Sequence, residues 1–139
     1  MTLLELEPEF FRYEERIETW KQIVGDHETW EARGNPTKEV TGPRVHHIIV
    51  DDLADAQGMW FLCPKCSKVN GGRVGTHMCH VTFADRGVPD HVGTHNSKGK
   101  TVRWVVSGTG PHDLSLSPSI LLEGGCNWHG FVKQGKITE

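Results

Sequence analysis

Two short units at opposite ends of the C-terminal half constrain this chain more than any other feature: Cys63-Pro64-Lys65-Cys66 and Cys126-Asn127-Trp128-His129. In each, two residues separate two side chains that bind soft or borderline metals. A C-x2-C pair can aim both thiolates at one ion from a tight turn, and the distant C-x2-H unit completes a tetrahedral Cys3His set. Thiolate and imidazole donors select zinc over magnesium or calcium, while iron shares the donor preference. The expected metal ligands are therefore Cys63, Cys66, Cys126 and His129, holding Zn2+. Two alternatives stand beside this. The first pair could be a redox C-x-x-C, although that motif normally opens a helix in a βαβ setting and here Pro and glycines surround it. Cys126 and His129 could be a buried thiol and an ordinary histidine.

Four thiols in 139 residues without a signal-like N-terminus fit a reducing compartment, where cysteines serve as ligands or free thiols rather than disulfides. The opening MTLLELEPEF is acidic and has neither a basic start nor an apolar stretch. The expected location is the cytoplasm. No apolar run reaches the roughly 20 residues of a membrane helix. The length suits a single domain, 1–139. Charge divides it: residues 1–56 carry 6 Lys and Arg against 13 Asp and Glu, and residues 57–139 carry 9 against 5. An acidic N-terminal part, 1–56, thus precedes a mildly basic zinc-binding β part, 57–139.

The expected fold class is mainly β (α+β): a small zinc-stabilised β domain with a short N-terminal helix and a C-terminal hairpin. Ile17, Trp20 and Val24 fall at helical spacing before Gly25, which predicts a helix over 14–24. Gly34, Asn35, Pro36, Gly42 and Pro43 predict loop from Glu28 to Arg44. Val45–Val50 reads as a strand, and Asp51 or Asp52 can cap one helical turn before Gly58. Thirteen of the 16 glycines lie between Gly58 and Gly135, a texture of short strands and tight turns. The candidate strands are Met59–Leu62, Thr76–Phe83, Thr101–Val106 and Ser119–Leu122. A terminal hairpin pairs Gly130–Val132 with Lys136–Thr138 through Gln134-Gly135.

Other histidines and cysteines offer less. His77, Cys79, His80, His91 and His95 could form a second metal site, but strand alternation puts His77 and Cys79 on one face and His80 on the other. His77 is the one expected to approach the knuckle. His77, Ser117, Ser119, Asn127 and Trp128 could line a polar pocket beside the metal. Ser117-Pro118-Ser119 itself reads as a turn entering a strand rather than as a nucleophile.

The stretches Trp60-Phe61-Leu62-Cys63-Pro64-Lys65-Cys66, Asn70-Gly71-Gly72, Gly75-Thr76-His77, and Leu114-Ser115-Leu116-Ser117-Pro118-Ser119-Ile120 leading to Cys126-Asn127-Trp128-His129-Gly130-Phe131 resemble a family of small phage and prophage proteins of unknown function. The resemblance covers essentially the whole chain. A name often attached to that family, ammonia monooxygenase, belongs to a membrane-embedded copper complex, and this chain offers neither membrane spans nor a copper set. The chain is more distantly similar to a small domain encoded beside bacterial ubiquitin-like conjugation genes, with a cysteine knuckle, a Leu-Ser-Pro-Ser-Ile-type segment and a terminal Cys-x-x-His. Both resemblances imply the ligands Cys63, Cys66, Cys126 and His129.

Function follows the coordination arithmetic. Four protein ligands close a zinc shell, and three thiolates leave a site charge of about −1, which weakens Lewis acidity. The expectation is a zinc-binding phage or prophage accessory protein, its metal structural, acting as an interaction module with a protein partner or a small ligand. The alternative is a zinc-dependent hydrolase or a small-ligand (nucleotide) binding protein with a pocket beside the metal. Neither H-x-E with P-C-x-x-C nor H-E-x-x-H occurs. Lys65, Lys68, Arg73, Lys98, Lys100 and Arg103 near Trp60 and Trp104 give weak grounds for nucleic-acid binding, given a sequence pI of 6.3.

Overall fold

The computed structural model describes residues 1–24, 37–123 and 125–139. A 3-10 turn, Leu3–Leu6, precedes two long strands, β1 (Glu9–Ile23) and β2 (Thr37–Val50). After a second 3-10 turn (Leu53–Asp55) come β3 (Gly58–Leu62), the helix α1 (Pro64–Asn70) and β4 (Met78–Thr82). The remaining elements are β5 (Val105–Ser107), β6 (Ser115–Ser117), β7 (Ile120–Leu121), β8 (His129–Lys133) and β9 (Lys136–Thr138). Sheet order is β2-β1-β3-β4, with β5-β6 and β7-β8-β9 as separate small sheets. Among the described residues the fold is mainly β with antiparallel pairing and one short α-helix, as the glycine-punctuated texture implied. No described helix is long and apolar enough to cross a membrane.

The helix expected over 14–24 is a strand. A helix there would have gathered Ile17 and Trp20 onto one face, whereas in β1 they point to opposite faces and Ile17 is exposed. Three-residue periodicity over so short a stretch is a weak signal beside pairing with neighbouring strands. The loop expected at 28–44 is also corrected in part: 37–44 belong to β2, and 28–36 lie outside the described residues. Pro43 is tolerated because β2 is an edge strand. Val45–Val50 lies in β2 as expected, and the turn at Leu53–Asp55 follows Asp52, whose side chain makes no cap bond.

The chain divides into two compact units, Glu14–His46 and Met1–Tyr13 with His47–Glu139. The smaller holds cross-strand pairs: Thr19 and Thr41 hydroxyls at 2.7 Å, His46 Nε2 against Glu18 Oε1 at 2.6 Å, and the Arg44 guanidinium 4.7 Å from the Trp20 ring centre. The larger has the hydrophobic core, with Leu3, Leu6, Phe61, Val81, Leu114, Ile120, Trp128 and Val132 almost fully buried. Burying each such side chain contributes about 1.5–3 kcal/mol. Within it β3 runs antiparallel to β4, Met59 opposite Val81 and Leu62 opposite Met78. Gly58 is required where Phe11 crosses β3, since a Cβ there would lie 2.7 Å from the ring. The C-terminal hairpin forms as expected: Gln134 (φ 47°) and Gly135 (φ 75°) make the two-residue turn with positive φ at both positions.

Candidate metal centre and serine–histidine pair

The first half of the site follows from the end of β3. Leu62 pairs with Met78, and the ladder continues one step as the Cys63 N–H donates to the His77 carbonyl at 2.9 Å. Register alone therefore sets His77 beside Cys63. Cys63 is also the N-cap of α1, with Pro64 in the first turn, where its missing N–H costs nothing. The knuckle thus opens a helix, which its Pro and following glycines had argued against; Gly71, at φ 71°, then ends it. Cys63 and Cys66, three apart, share one side of that first turn.

Cys126 completes the group. Its Sγ lies 3.6 Å from Cys63 Sγ and 3.3 Å from His77 Nε2, and the ligand atoms of Cys63, Cys66, His77 and Cys126 all fall within 4.8 Å of one another. A zinc tetrahedron with Zn–S near 2.3 Å and Zn–N near 2.0 Å separates its ligand atoms by about 3.5–3.8 Å. The donor set and its spacing fit zinc. Electrostatics agree: burial, then the neighbouring Cys126 and Cys63, push the Cys66 thiol up to about 11. Burial also works against ionising Cys126, but it is outweighed by the Trp128 backbone N–H, then His77, Cys63 and Cys66, which bring that thiol down to about 6. Three thiols this close do not all ionise unless a cation sits among them.

The expected fourth ligand, His129, is not in this group; His77 takes its place. The reason lies in β8. Trp128 is buried in the core, edge-on to Phe61 with ring centres 6.5 Å apart, and its carbonyl accepts from Leu122 N–H at 2.9 Å. Asn127 takes a left-handed backbone, φ 52°, just before it. Cys126 therefore faces the knuckle, while His129 enters β8 opposite Leu121.

That register creates a second constellation. Leu121 and His129 share a face of the β7–β8 pair, and Ser119, two residues before Leu121, shares it diagonally. Ser119 Oγ lies 2.9 Å from His129 Nε2. On the opposite face Ile120 and Gly130 are buried, and a Cβ at Gly130 would lie 2.4 Å from the Trp128 ring, so only glycine lets β8 pack this closely. The Ser119 backbone is held as well: the buried Trp104 indole N–H donates to its carbonyl at 3.3 Å. Ser119 lies between β6 and β7, just before Ile120, and is hydrogen-bonded to a histidine.

Part of the metal group and Ser119 border one cleft of about 690 Å³, lined by Cys66, His77 and Cys126 at one part and by Ser119, Trp104 and Leu121 at another, while His129 stands behind Ser119 and outside the lining. Of the five residues expected around a pocket, His77 and Ser119 line it. Ser117 is exposed in β6, Asn127 is exposed, and Trp128 is buried. Among the described residues no second metal cluster gathers. Cys79 is buried in the core, where desolvation and then the neighbouring thiols raise its pKa. His80 packs instead against Trp60, 5.3 Å between ring centres, and its pKa is lowered by burial and then by His47. His95 turns Nδ1 to the Gly93 carbonyl and Nε2 to the Asp90 carbonyl. The Ser119–His129 pair is what sequence reading missed. Its signal was the expected strand at 119–122, had that strand been paired with 129–130.

No curated protein and no solved structure matches the chain. A family described as the bacterial ubiquitination-like system serine protease (BubE) matches residues 31–139, most of the chain and all of both constellations. This agrees with the more distant of the two resemblances noted from the sequence. On the extent of that match, the chain belongs to the BubE family.

Proposed function

We propose that this chain is a serine peptidase in which Ser119 is the nucleophile and His129 its general base, and that it cleaves peptide or isopeptide bonds within a ubiquitination-like system. The observation that carries this is the 2.9 Å contact between Ser119 Oγ, which lines the cleft, and His129 Nε2, in a chain of a serine protease family. As Ser119 Oγ adds to the scissile carbonyl carbon, its proton passes to His129 Nε2. The C–N bond then breaks, the imidazolium returns that proton to the departing amine, and the acyl group stays on Ser119. Water, deprotonated by the same nitrogen, releases the acid and regenerates the pair. Trp104 holds the nucleophile's backbone through its carbonyl.

Cys63, Cys66, His77 and Cys126 would hold a zinc ion, which would supply structural cross-linking, since four protein ligands leave no position for a reacting water. With the ion bound, these residues would tie the segment carrying Cys126, three residues before His129, to α1 and to the start of β4. A fluorophosphonate reagent tests the reading. Labelling at Ser119, lost in both Ser119→Ala and His129→Ala while bound zinc stays at one per chain, is the expected result. Loss of zinc in His129→Ala with retained labelling would overturn it.

A further inference from the structure

We infer that Glu123 makes the cleft select substrates carrying a basic side chain within about four residues of the bond that is cut, an inference that rests on Ser119 being the nucleophile. Among the described residues lining the cleft, Glu123 is the one carboxylate. It follows Ser119 by four positions, so it stands at most about 13 Å along the wall, the reach of four extended residues at 3.3 Å each. An extended substrate laid beside Ser119–Glu123 brings a residue three or four places from its scissile bond to this carboxylate.

The carboxylate is held in place for that role. The Ser97 backbone N–H donates to Glu123 Oε2 at 2.9 Å across the cleft. The Ser97 side chain first, then this backbone bond and Lys98, favour the ionised form against the cost of desolvation, so the charge is present at neutral pH. Between Glu123 and Ser119 the wall is Leu121 and Leu122, and Val102 and Trp104 also line the cleft. Apolar lining of this kind focuses the field of the Glu123 carboxylate on what lies beside it. The other ionisable groups around the cleft have duties of their own: His77 and the two cysteines belong to the metal group, and His95 holds its loop through the Asp90 and Gly93 carbonyls.

A bond that only latched the two walls together would need an acceptor at position 123 but not a charge, and this separates the two roles. Fluorogenic peptides of one glycine-spaced sequence, with a single Arg, Gln or Glu moved through the four positions on either side of the scissile bond, are cleaved by wild type, Glu123→Gln and Glu123→Lys. Glu123→Gln keeps an oxygen for the Ser97 amide and removes the charge. At one position Arg should exceed Glu in kcat/KM by about fivefold, the scale of a partly exposed charge pair. The preference should vanish in Glu123→Gln and reverse in Glu123→Lys. A preference for Arg that survives Glu123→Gln, or cleavage indifferent to charge at every position in wild type, overturns the inference. Binding of the same peptides to Ser119→Ala, read by fluorescence anisotropy, separates this from failure of the nucleophile assignment. Peptides that wild type leaves uncut but that bind Ser119→Ala in the order Arg over Gln over Glu would sink the peptidase reading and leave Glu123 as the selector; equal binding would sink the selector.

Discussion

The metal group and the Ser119–His129 pair share one four-residue segment, and the group and Ser119 border one cleft, yet the two are assembled by different means. Three of the four side chains of the candidate metal group are placed by short-range geometry: Cys63 and Cys66 by the first turn of α1, and His77 by the step of the β3–β4 ladder that joins Cys63 N–H to its carbonyl. The pair depends on residues ten apart meeting diagonally across β7 and β8. Between them, Cys126-Asn127-Trp128-His129 looks like one chelating unit and is in fact divided. Its cysteine serves the metal group and its histidine the serine, because Trp128 is drawn into the core between them. A spacing compatible with chelation is not chelation when a buried side chain decides which way each neighbour faces.

The division can be broken from either side. The largest effect should come from Ser119→Ala or His129→Ala, each lowering kcat by about 10³-fold or more while zinc content and Tm stay near wild type. Metal analysis alongside peptide hydrolysis checks this, and a His129→Ala protein without zinc would restore the undivided unit. Next in size, Cys63→Ser combined with Cys126→Ser should lose the ion and lower Tm by on the order of 10 °C, because metal-binding free energy contributes to folding. His77→Ala should weaken zinc in the same direction, as read by competition with a chromophoric chelator; unchanged affinity would remove it from the ligand set. Hydrolysis should fall with the zinc in both, since Cys126 anchors the segment leading to His129.

A smaller effect separates holding the nucleophile from merely packing near it. Trp104→Phe keeps an aromatic ring but removes the N–H that meets the Ser119 carbonyl, a bond worth about 1 kcal/mol. The expected fall in kcat is about fivefold with KM little changed, measured on one peptide. A change confined to KM would argue that Trp104 touches substrate rather than positioning Ser119.

Smallest of all is a change outside both regions, which gives the baseline for pH effects. Asp113 closes the turn between β5 and β6, accepting from the backbone N–H of Gly110 and of Thr109 and from the Thr109 hydroxyl. These bonds, Gly110 first, hold its carboxyl down to about 2. A depressed folded-state value means the contribution to stability is complete above the ordinary value near 3.8 and is lost as pH falls toward 2. Asp113→Asn should therefore narrow the Tm difference between pH 5 and pH 2 slightly, leaving the zinc and the serine untouched. A wider difference would contradict the sign.

Much of the fold could be read locally. Gln134-Gly135 dictates its own turn, and Val45–Val50 and Met59–Leu62 are apolar or β-branched runs that form strands in any sheet that will take them. The helix expected over 14–24 failed because its periodicity spanned only three residues, and nothing local says that this stretch has a strand to pair with. Arg103 shows the same limit from the charge side. Grouped by sequence with a nucleic-acid-binding set, its guanidinium is spent on the carbonyls of Pro89, Val92, Thr94 and Val102, shaping the loop that walls the cleft.

For the site, the amino-acid sequence by itself determined the knuckle and the third thiol, since a C-x2-C pair needs only the first turn of its own helix and Cys126 was the remaining cysteine that repeats the two-residue spacing to another ligand type. It also singled out His77 as the histidine nearest the knuckle. Only the tertiary structure decided that His77 stands with the three thiols and that His129 stands with Ser119. The reason is physical. Ligand choice between two histidines, and the meeting of a serine with one of them, turn on which face of a strand each side chain occupies, and that face is set by long-range register and by the burial of Trp128.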